Sequence, residues 1–203
     1  EQLSTFASYS EGMSANAFYF YAATPKPEYS RQLEIGMKYD DGTLSGSIAA
    51  FRINRRNVPV TNPEDPTFLT SITEGQQQSQ GVELDAVWQP AGPWRVMANY
   101  AYTDAELTAD IPNGAPAGSD LPGVPRHFYQ GELQFDHASG LYLAGTLQHA
   151  SRYFVDYANS LSAPSYTIIG AKLGYQPAEG PLSAFIDFSN IGDRKYVAAI
   201  SPI

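Results

Sequence analysis

Residues 184 to 200 read AFIDFSNIGDRKYVAAI, and a strand pattern in this stretch runs directly into a turn pattern. Side chains along a strand point alternately to its two faces. The apolar face carries Ala184, Ile186 and Phe188, and the mixed face carries Phe185, Asp187 and Ser189. Residues 190–193 (Asn-Ile-Gly-Asp) favour a turn, because these residue types tolerate turn dihedral angles and Asn and Asp bond their own backbone. The stretch therefore predicts a strand with one apolar face that ends at this turn.

The same period of two recurs along the chain and predicts an all-β fold. The apolar sets that share a face are Leu33, Ile35, Met37 and Tyr39; Val82, Leu84, Ala86 and Trp88; Trp94, Val96, Ala98, Tyr100 and Tyr102; Tyr129, Leu133 and Phe135; Leu141, Leu143 and Leu147; and Thr167, Ile169, Ala171, Leu173 and Tyr175. Segment 44–58 is less regular, and its arginines are expected at a lumen or rim: Arg52, Arg55 and Arg56. We count about nine strands and the start of another, most of them about 10 to 16 residues long, against about 5 to 6 in soluble proteins.

The links between these strands alternate strictly between short and long. Short turns rich in Gly and Pro fall at 40–42, 89–93, 136–140 and 176–181, and longer links fall at 11–28, 59–68, 107–125 and 154–164. This alternation is typical of an outer-membrane meander with tight periplasmic turns and long outer loops. Aromatic residues at strand ends fit the girdles of such a barrel: Trp88, Trp94, Tyr100, Tyr102 and Tyr175. The sequence therefore predicts an antiparallel transmembrane β-barrel wall.

Composition narrows the classes of function. The net charge of −9 argues against a nucleic-acid partner, since phosphate binding needs a surplus of Lys and Arg. The chain has no cysteine, so disulfides and thiolate metal sites are excluded. No apolar run approaches the roughly 20 residues of a membrane helix, whereas a membrane strand needs only about 9 to 11. Residue 1 lies in mid-pattern without a signal peptide, so we expect a fragment or processed piece of a longer protein.

Several segments resemble, in the same order, the barrel of TonB-dependent outer-membrane receptors. The segments are 6–12 (FASYSEG), 27–30 (PEYS) with 34–38 (EIGMK), 79–85 (SQGVELD), 100–105 (YAYTDA), 122–127 (PGVPRH), 163–167 (APSYT) with 173–175 (LGY), and 188–196 (FSNIGDRKY). Each segment alone is weakly specific, but their shared order across nearly the whole chain makes a strong match. Two positions depart from the family pattern: Gly192 stands where Phe is usual, and Gly170 stands where Asp is common.

The resemblance implies a role as well as a fold. Residues 1–203 would be the C-terminal part of a large plugged barrel, without the plug domain, the N-terminal barrel strands and the final strand. Such receptors import actively across the bacterial outer membrane: outer-membrane lipid surrounds the wall, and TonB with ExbB and ExbD displaces the plug. A ferric siderophore is the expected cargo. Cobalamin, haem, copper or an oligosaccharide remain alternatives because the loops decide cargo. A small autonomous porin-like barrel and a soluble carbohydrate-binding β domain are the rival classes.

Candidate ligand contacts lie at or beyond the outer strand ends, where Arg and aromatic side chains bind anionic or aromatic chelates by charge and stacking. These candidates are Tyr19, Tyr21, Arg152, Tyr153 and Tyr157. Packing within the loops or the girdle is their alternative role. Charges expected to face inward, toward water or a plug, are Glu34, Lys38, Glu83, Asp85, Arg95, Glu132 and Asp187.

No catalytic arrangement is predicted. The three histidines are far apart and lack the spacing of metal ligands: His127, His137 and His149. Asp104 and Glu106 share a strand face, but they fit solvated rim charges better than an acid pair. Nucleophile-elbow, phosphate-loop and dinucleotide motifs do not occur. We therefore expect no enzyme, no metal site and no cofactor.

Overall fold

The computed structural model describes residues 2–15, 25–67 and 69–198 of the chain. The strands, numbered in chain order, are β1 (Leu3–Ser14), β2 (Glu28–Asp40), β3 (Leu44–Thr61), β4 (Ser71–Trp88), β5 (Trp94–Leu107), β6 (His127–Asp136), β7 (Leu141–Ala150), β8 (Tyr153–Phe154), β9 (Ser162–Ala163), β10 (Tyr166–Tyr175) and β11 (Ala184–Phe188). No helix within the described ranges is long and apolar enough to cross a membrane.

Nine of these strands form one antiparallel sheet. Its order is β1-β2-β3-β4-β5-β6-β7-β10-β11, so nearly every strand pairs with its sequence neighbour. β8 and β9 pair separately, within the link between β7 and β10. The predicted all-β antiparallel meander is confirmed. β1 and β11 lie at the two edges of the sheet, so the described strands form an open wall.

The register places the predicted apolar sets on a single face of the sheet. Ile48 of β3, for example, lies opposite Met37 of β2 and Leu84 of β4. These side chains are not covered by protein: Ile35 is 62% exposed and Leu143 is 56% exposed. A continuous apolar surface of this kind needs a non-aqueous neighbour, which lipid provides. We call this side the apolar face and the opposite side the polar face.

Aromatic side chains mark both ends of the apolar face. Near the short turns lie Tyr39, Trp88, Trp94, Phe135 and Tyr175. Trp94 and Phe135 meet there edge to face, with 5.0 Å between ring centroids. Near the long links, Tyr129 stacks on His149 at 4.7 Å. The two rows match the aromatic girdles that flank the apolar band of outer-membrane barrels.

Short and long links lie at opposite ends of the strands, as predicted. Short turns join β2 to β3, β4 to β5, β6 to β7 and β10 to β11, whereas long links follow β1, β3, β5 and β7. The β2–β3 turn is closed by Asp41, whose carboxylate accepts the N–H groups of Leu44 and Thr43 at 2.7 and 2.8 Å. These hydrogen bonds lower the pKa of Asp41. The long links therefore all follow the same end of the strands.

The stretch 184–200 behaves as its sequence predicts up to the last described residue. β11 ends at Phe188, and Asn190 then adopts a φ of 52°. The side-chain oxygen of Asn190 accepts the N–H of Arg194 at 2.8 Å, which closes the turn. The chain then returns over the end of β10, where the rings of Tyr196 and Tyr166 lie 4.6 Å apart. The predicted strand-to-turn change is confirmed, and it lies on the long-link side.

β3 and β4 are longer than the sequence pattern predicts, at 18 residues each. β3 continues to Thr61 and β4 begins at Ser71, whereas the pattern placed a link at 59–68. The added part of β4 is rich in glutamine, so alternation of apolar residues does not reveal it. It pairs with β3 through the backbone, with register shifts on either side of Val58.

The arginines of β3 divide between the two faces. Arg55 lies on the polar face, with its guanidinium 2.7 Å from the carboxylate of Glu28. Arg52 and Arg56 lie on the other side, opposite Leu33 and Tyr29 of β2. All three are near the rim, as predicted, but the alternation of side chains gives only Arg55 a lumenal orientation.

Candidate functional site

The polar face carries the charges that the sequence analysis assigns to the inside of a barrel. The register places all of them opposite the apolar set: Glu34, Lys38, Glu83, Asp85, Arg95, Glu132 and Asp187. Lys172, which the sequence analysis did not single out, joins them. Its Nζ lies 2.6 Å from the Glu132 carboxylate, and Asp187 is its cross-strand partner on β11.

A groove of about 330 Å³ opens on the polar face around this pair. Its lining includes Asn99, Gln130, Glu132, Thr146, Gln148, Lys172, Asp187 and Asn190. Gly170 forms part of its floor: a Cβ there would lie 2.8 Å from the Phe188 carbonyl oxygen and 2.5 Å from Thr146 Oγ1. The aspartate that the resembled family often has at this position would not fit without movement of these groups. The groove presents hydrogen-bonding groups of both charges to whatever lies inside the wall.

Polar side chains continue this surface toward the short turns. Arg95 donates to the Gln134 side chain at 2.8 Å, and Gln134 donates to Asp136 at 2.6 Å. Among the described residues, the buried Nε of Arg95 has no hydrogen-bond partner. Asp85 accepts from Asn99 in the same layer. The face is therefore a hydrogen-bonded, mainly acidic surface suited to a polar protein partner or to water.

The described long links, between β3 and β4, β5 and β6, and β7 and β10, pack together into a compact unit, which we call the outer cap. Its hydrophobic cluster consists of Val60, Ala105, Leu107, Ile111, Ala115 and Leu121, with Ile72, Val124 and Tyr157 packed against it. Leu107 is completely buried. These residues come from β3, β5 and the β5–β6 link, so separate connections share one core. Strand alternation does not predict this cluster, and its signal in the sequence is the presence of the apolar residues 107, 111 and 121 within a long polar link.

Hydrogen bonds hold the β5–β6 link to the β7–β10 link. The Asn159 side chain accepts the N–H of Asp120 at 2.7 Å and donates to the carbonyl of the same residue at 2.9 Å. The N–H of Gly123 donates to the carbonyl of Phe154 at 2.8 Å. Arg126 bridges Asp120 at 2.9 Å, which raises the pKa of the guanidinium. The two links therefore form one body over the end of the wall.

The predicted ligand contacts fall into three different environments. Arg152 is exposed, with its guanidinium 5.3 Å from the Phe154 ring. Tyr153 is buried, and its hydroxyl donates to the Val197 carbonyl at 2.9 Å; burial raises its pKa. Tyr157 packs against the cap core and accepts from Gln77 at 3.5 Å. Tyr19 and Tyr21 lie outside the described residues. The ligand role of these residues stays a prediction.

The histidines occupy structural positions at strand and turn ends. His127 Nδ1 lies 2.9 Å from the Tyr100 hydroxyl, and His149 Nδ1 lies 2.9 Å from the Thr167 hydroxyl. His137 bonds Ser139 within the β6–β7 turn. The acid Asp104 lies 3.4 Å from Arg126 at the rim. These contacts agree with the structural and rim roles that the sequence analysis gave to these side chains.

Two aspartates close turns within the outer links. Asp65 accepts the hydroxyls of Thr67 and Thr70 at 2.6 and 2.7 Å, together with their N–H groups, which hold its pKa well below the usual range. Burial alone would raise the pKa of Asp156, but hydrogen bonds from Leu161 and Ser160 outweigh it and lower the pKa. Both links therefore depend on ionised carboxylates.

The outer cap is expected to loosen in acid. The folded-state pKa of both aspartates is depressed, so their stabilising contribution is present above the unfolded value of about 3.9 and is lost as pH falls through the folded value. Hydrogen-exchange protection of residues 62–67, which contain Asp65, and of residues 151–165, which contain Asp156, should therefore stay level from neutral pH to about pH 5 and decline below about pH 4. Asp65→Asn with Asp156→Asn should lower protection at neutral pH and abolish the acid decline. Hydrogen-exchange protection that does not change with pH in the unsubstituted protein would contradict a role of these ionised carboxylates in stabilising the links.

Fold and polar face together define a segment of an outer-membrane-type β-barrel wall. The family model described as "TonB dependent receptor-like, beta-barrel" matches residues 1–191. The chain belongs to this family, which consists of receptors and transporters, and it is part of a bacterial outer-membrane protein. The predicted resemblance is confirmed. The family assignment also removes the soluble carbohydrate-binding domain as an alternative.

Curated relatives of this chain are outer-membrane receptors and transporters. The chain is 32% identical over 188 residues to the ferrioxamine B receptor of Salmonella typhimurium (strain SL1344), covering 88% of this chain and 26% of that protein. It is 29% identical over 187 residues to the ferrichrome outer membrane transporter/phage receptor of Escherichia coli (strain K12), covering 85% and 24%. The chain thus spans about a quarter of the length of the curated relatives it matches.

Solved structures share the same wall. The ferric preacinetobactin receptor BauA from Acinetobacter baumannii superposes with a TM-score of 0.76 at 25% identity, covering 97% of this chain and 31% of that one. The ferric citrate transporter FecA in its unliganded form gives a TM-score of 0.79 at 22% identity, covering 97% and 32%. The second comparison supports the fold alone.

Proposed function

We propose that residues 1–203 are the C-terminal part of the barrel of a TonB-dependent receptor that imports a ferric siderophore. The plug domain, the remaining barrel strands and the closing strand would belong to the same longer protein. The observation that carries the proposal is the match of residues 1–191 to the receptor-barrel family, with relatives that bind ferric siderophores by name. Recognition and transport by this protein would make and break no covalent bond.

The polar face supports the plug as the inner partner. Its groove around Lys172 and Glu132 presents paired charges and amides, which suit a polar protein surface better than an apolar one. The open edges at β1 and β11 need pairing partners, because lipid does not tolerate unpaired strand backbone. Additional strands of the same protein would supply that pairing. This requirement weighs against the autonomous porin-like barrel.

Import in this proposal proceeds by displacement of the plug. Cargo would bind at the outer mouth, above the polar face, and TonB with ExbB and ExbD would pull on the plug from the periplasm. The wall contributes a fixed hydrogen-bonded surface along which the plug moves. The outer cap would shape the mouth, and the exposed guanidinium of Arg152 would attract an anionic chelate.

The experiment that tests this function is uptake by cells that carry the full-length receptor as their one siderophore receptor. Radioactive iron offered as ferric citrate, ferrioxamine B or ferrichrome should accumulate in these cells, and accumulation should stop when TonB is deleted. For ferric citrate, which is anionic, Arg152→Gln should raise the concentration for half-maximal uptake about tenfold or more, since a hydrogen bond to a charged group contributes at least about 1.5 kcal/mol. Ferrichrome, which is neutral, and ferrioxamine B, which is cationic, should be much less affected by this change. Lys195→Gln, an equal change of charge in the tail after β11, is the matched control.

Two outcomes would contradict the proposal in different ways. Uptake that continues without TonB would indicate a passive barrel. TonB-dependent uptake of cobalamin, haem, copper or an oligosaccharide, with no uptake of iron chelates, would keep the transport class and reject the cargo.

A further inference from the structure

The apolar face does not remain apolar up to the rim. Beyond the aromatic row near the long links, the same face of β1 to β3 carries Arg31, Arg52 and Arg56 with Tyr29, Asn54 and Glu11. We call these six residues the outer basic patch. The charges of the polar face do not reach it, because neighbouring residues such as Arg55 point to the opposite side.

The patch lies at the height of the outer membrane surface. Tyr39 belongs to the aromatic row near the short turns. Arg31 is eight residues from Tyr39 along β2, a distance of about 27 Å at about 3.4 Å per residue. With a strand tilt of about 35–45°, this corresponds to a rise of about 19–22 Å, close to the top of an apolar band about 25 Å tall. Arg56 lies opposite Tyr29, which is two residues closer to the rim than Arg31 along β2. The guanidinium groups therefore lie where lipid head groups begin.

Arg52, the arginine of the patch farthest from the rim, points its guanidinium toward the rim. Arg52 pairs with Leu33, within the upper part of the apolar band. Its guanidinium donates to the side chain of Gln78, which lies two positions closer to the rim than its direct partner, Gln80. A long side chain that keeps its charged end at the polar boundary in this way is typical of membrane interfaces.

The patch contains a groove of suitable size and chemistry for an anion. The groove measures about 220 Å³ and is lined by Glu11, Gly12, Tyr29, Ser30, Arg31, Asn54 and Arg56. The Arg56 guanidinium lies 5.8 Å from the centre of the Tyr29 ring, which fixes its direction. Glu11 is the opposing charge: it contacts Arg31 at 2.9 Å and accepts from the Tyr9 hydroxyl at 2.6 Å. Two arginines and one carboxylate line the groove, and Arg52 adds a third cation to the patch, so the patch carries a positive surplus. The acids Asp104 and Glu106 share this face but lie outside the patch, on β5.

We propose that the outer basic patch binds the phosphate group of an anionic outer-leaflet lipid. Arginine suits phosphate because its planar fork donates two parallel hydrogen bonds. Cargo is excluded as the occupant because it passes on the polar face, whereas the patch shares its face with Leu33 and Ile35. Pairing of a further strand at the β1 edge would use backbone groups and would leave the outward side chains in place. The proposal requires the outer-membrane setting and does not depend on the identity of the cargo.

The test uses the purified full-length receptor in detergent micelles and a bisphosphorylated lipid A as the probe. Native mass spectrometry should show retention of this lipid by the unsubstituted receptor and much weaker retention of its dephosphorylated form. Arg31→Gln with Arg56→Gln should lower retention of the phosphorylated form about thirtyfold, since each of the two basic residues contributes about 1 kcal/mol near a charged membrane surface. The single variants and Arg52→Gln provide the test if the double variant does not fold.

Arg55→Gln is the matched control, because it removes the same charge at the same height on the opposite face. It should leave lipid retention unchanged. An equal loss in this control would overturn the proposal in favour of general charge attraction. Equal retention of phosphorylated and dephosphorylated lipid would overturn it as well. Binding of inorganic phosphate to the patch without lipid, at a similar affinity, would identify a free-anion site instead.

Discussion

Replacement of Gly81 by alanine is expected to prevent correct assembly of the wall at β4 and β5. A Cβ at this position would overlap the carbonyl oxygen of Tyr102 on β5 and would lie 3.0 Å from the Phe51 ring on β3. The Tyr102 carbonyl cannot move away, because β4 and β5 continue in register on each side of it. Overpacking of this kind costs about 1–3 kcal/mol in an ordinary core. Here the cost rises further, since lipid cannot replace the ladder hydrogen bonds that separation would break.

The measurement is heat-modifiable migration of the full-length receptor in gel electrophoresis, which separates folded from unfolded outer-membrane barrels. Gly81→Ala should reduce the folded fraction severely and should also reduce the amount of receptor in the outer membrane. Gly145→Ala on β7 is the matched control, because a Cβ there meets nothing within 4 Å. Normal folding of Gly81→Ala would show that β4 and β5 do not approach each other as closely as described here.

Replacement of Leu107 by alanine is expected to open the outer cap while the wall stays folded. Leu107 is completely buried within the cluster that joins β3, β5 and the β5–β6 link. Leu→Ala changes in buried clusters cost about 3–5 kcal/mol through lost apolar contacts and the cavity left behind. The loss falls on the cap because the strands below are held by their own ladders. Local opening of the links should therefore become about a hundredfold or more easier.

Hydrogen exchange of the full-length receptor measures this effect segment by segment. Protection should fall in 108–126 and also in 151–165, because Asn159 and Phe154 hold the two links together. Leu161→Ala is the control: this leucine lies in the same cap but is 58% exposed, so its loss should change stability by no more than about 0.5 kcal/mol. Loss of protection confined to 108–126 would show that the two links open independently.

Sequence pattern predicted the wall well because its physical cause is local. A strand between lipid and a polar interior must alternate apolar and polar side chains, and the register shows this alternation from Leu33 to Tyr175. Turn residues such as Asp41 and Asn190 act within a few positions of themselves, so their effect is also legible in the sequence. The sorting of short and long links followed for the same reason.

The longer β3 and β4 show where that pattern stops being informative. Above the membrane both faces are wet, so glutamines and arginines replace the apolar set and the period of two disappears. The strands continue nevertheless, since backbone pairing does not depend on side-chain polarity. Hydrophobic alternation reports the thickness of the apolar band rather than the length of the strand.

The candidate ligand residues also show which properties the sequence predicts and which it does not. Their position at the outer ends of strands could be predicted from the sequence, but burial could not. Tyr153 bonds Val197 and Tyr157 packs on the cap core, while Arg152 remains exposed. Contacts between residues so far apart along the chain depend on how the links fold over one another.

The sequence by itself determined the class of this protein: an antiparallel outer-membrane wall with charges on one face and apolar side chains on the other. Alternation, turn chemistry and family motifs are local properties of the chain, and each carries its own physical cause. Only the tertiary structure decided which charges meet, as with Glu132 and Lys172 across β6, β7 and β10, and that the separate outer links share the core around Leu107. It also brought Arg31 of β2 and Arg56 of β3 together on one face of the wall. These features arise from register and loop packing, which bring together residues that the sequence keeps apart.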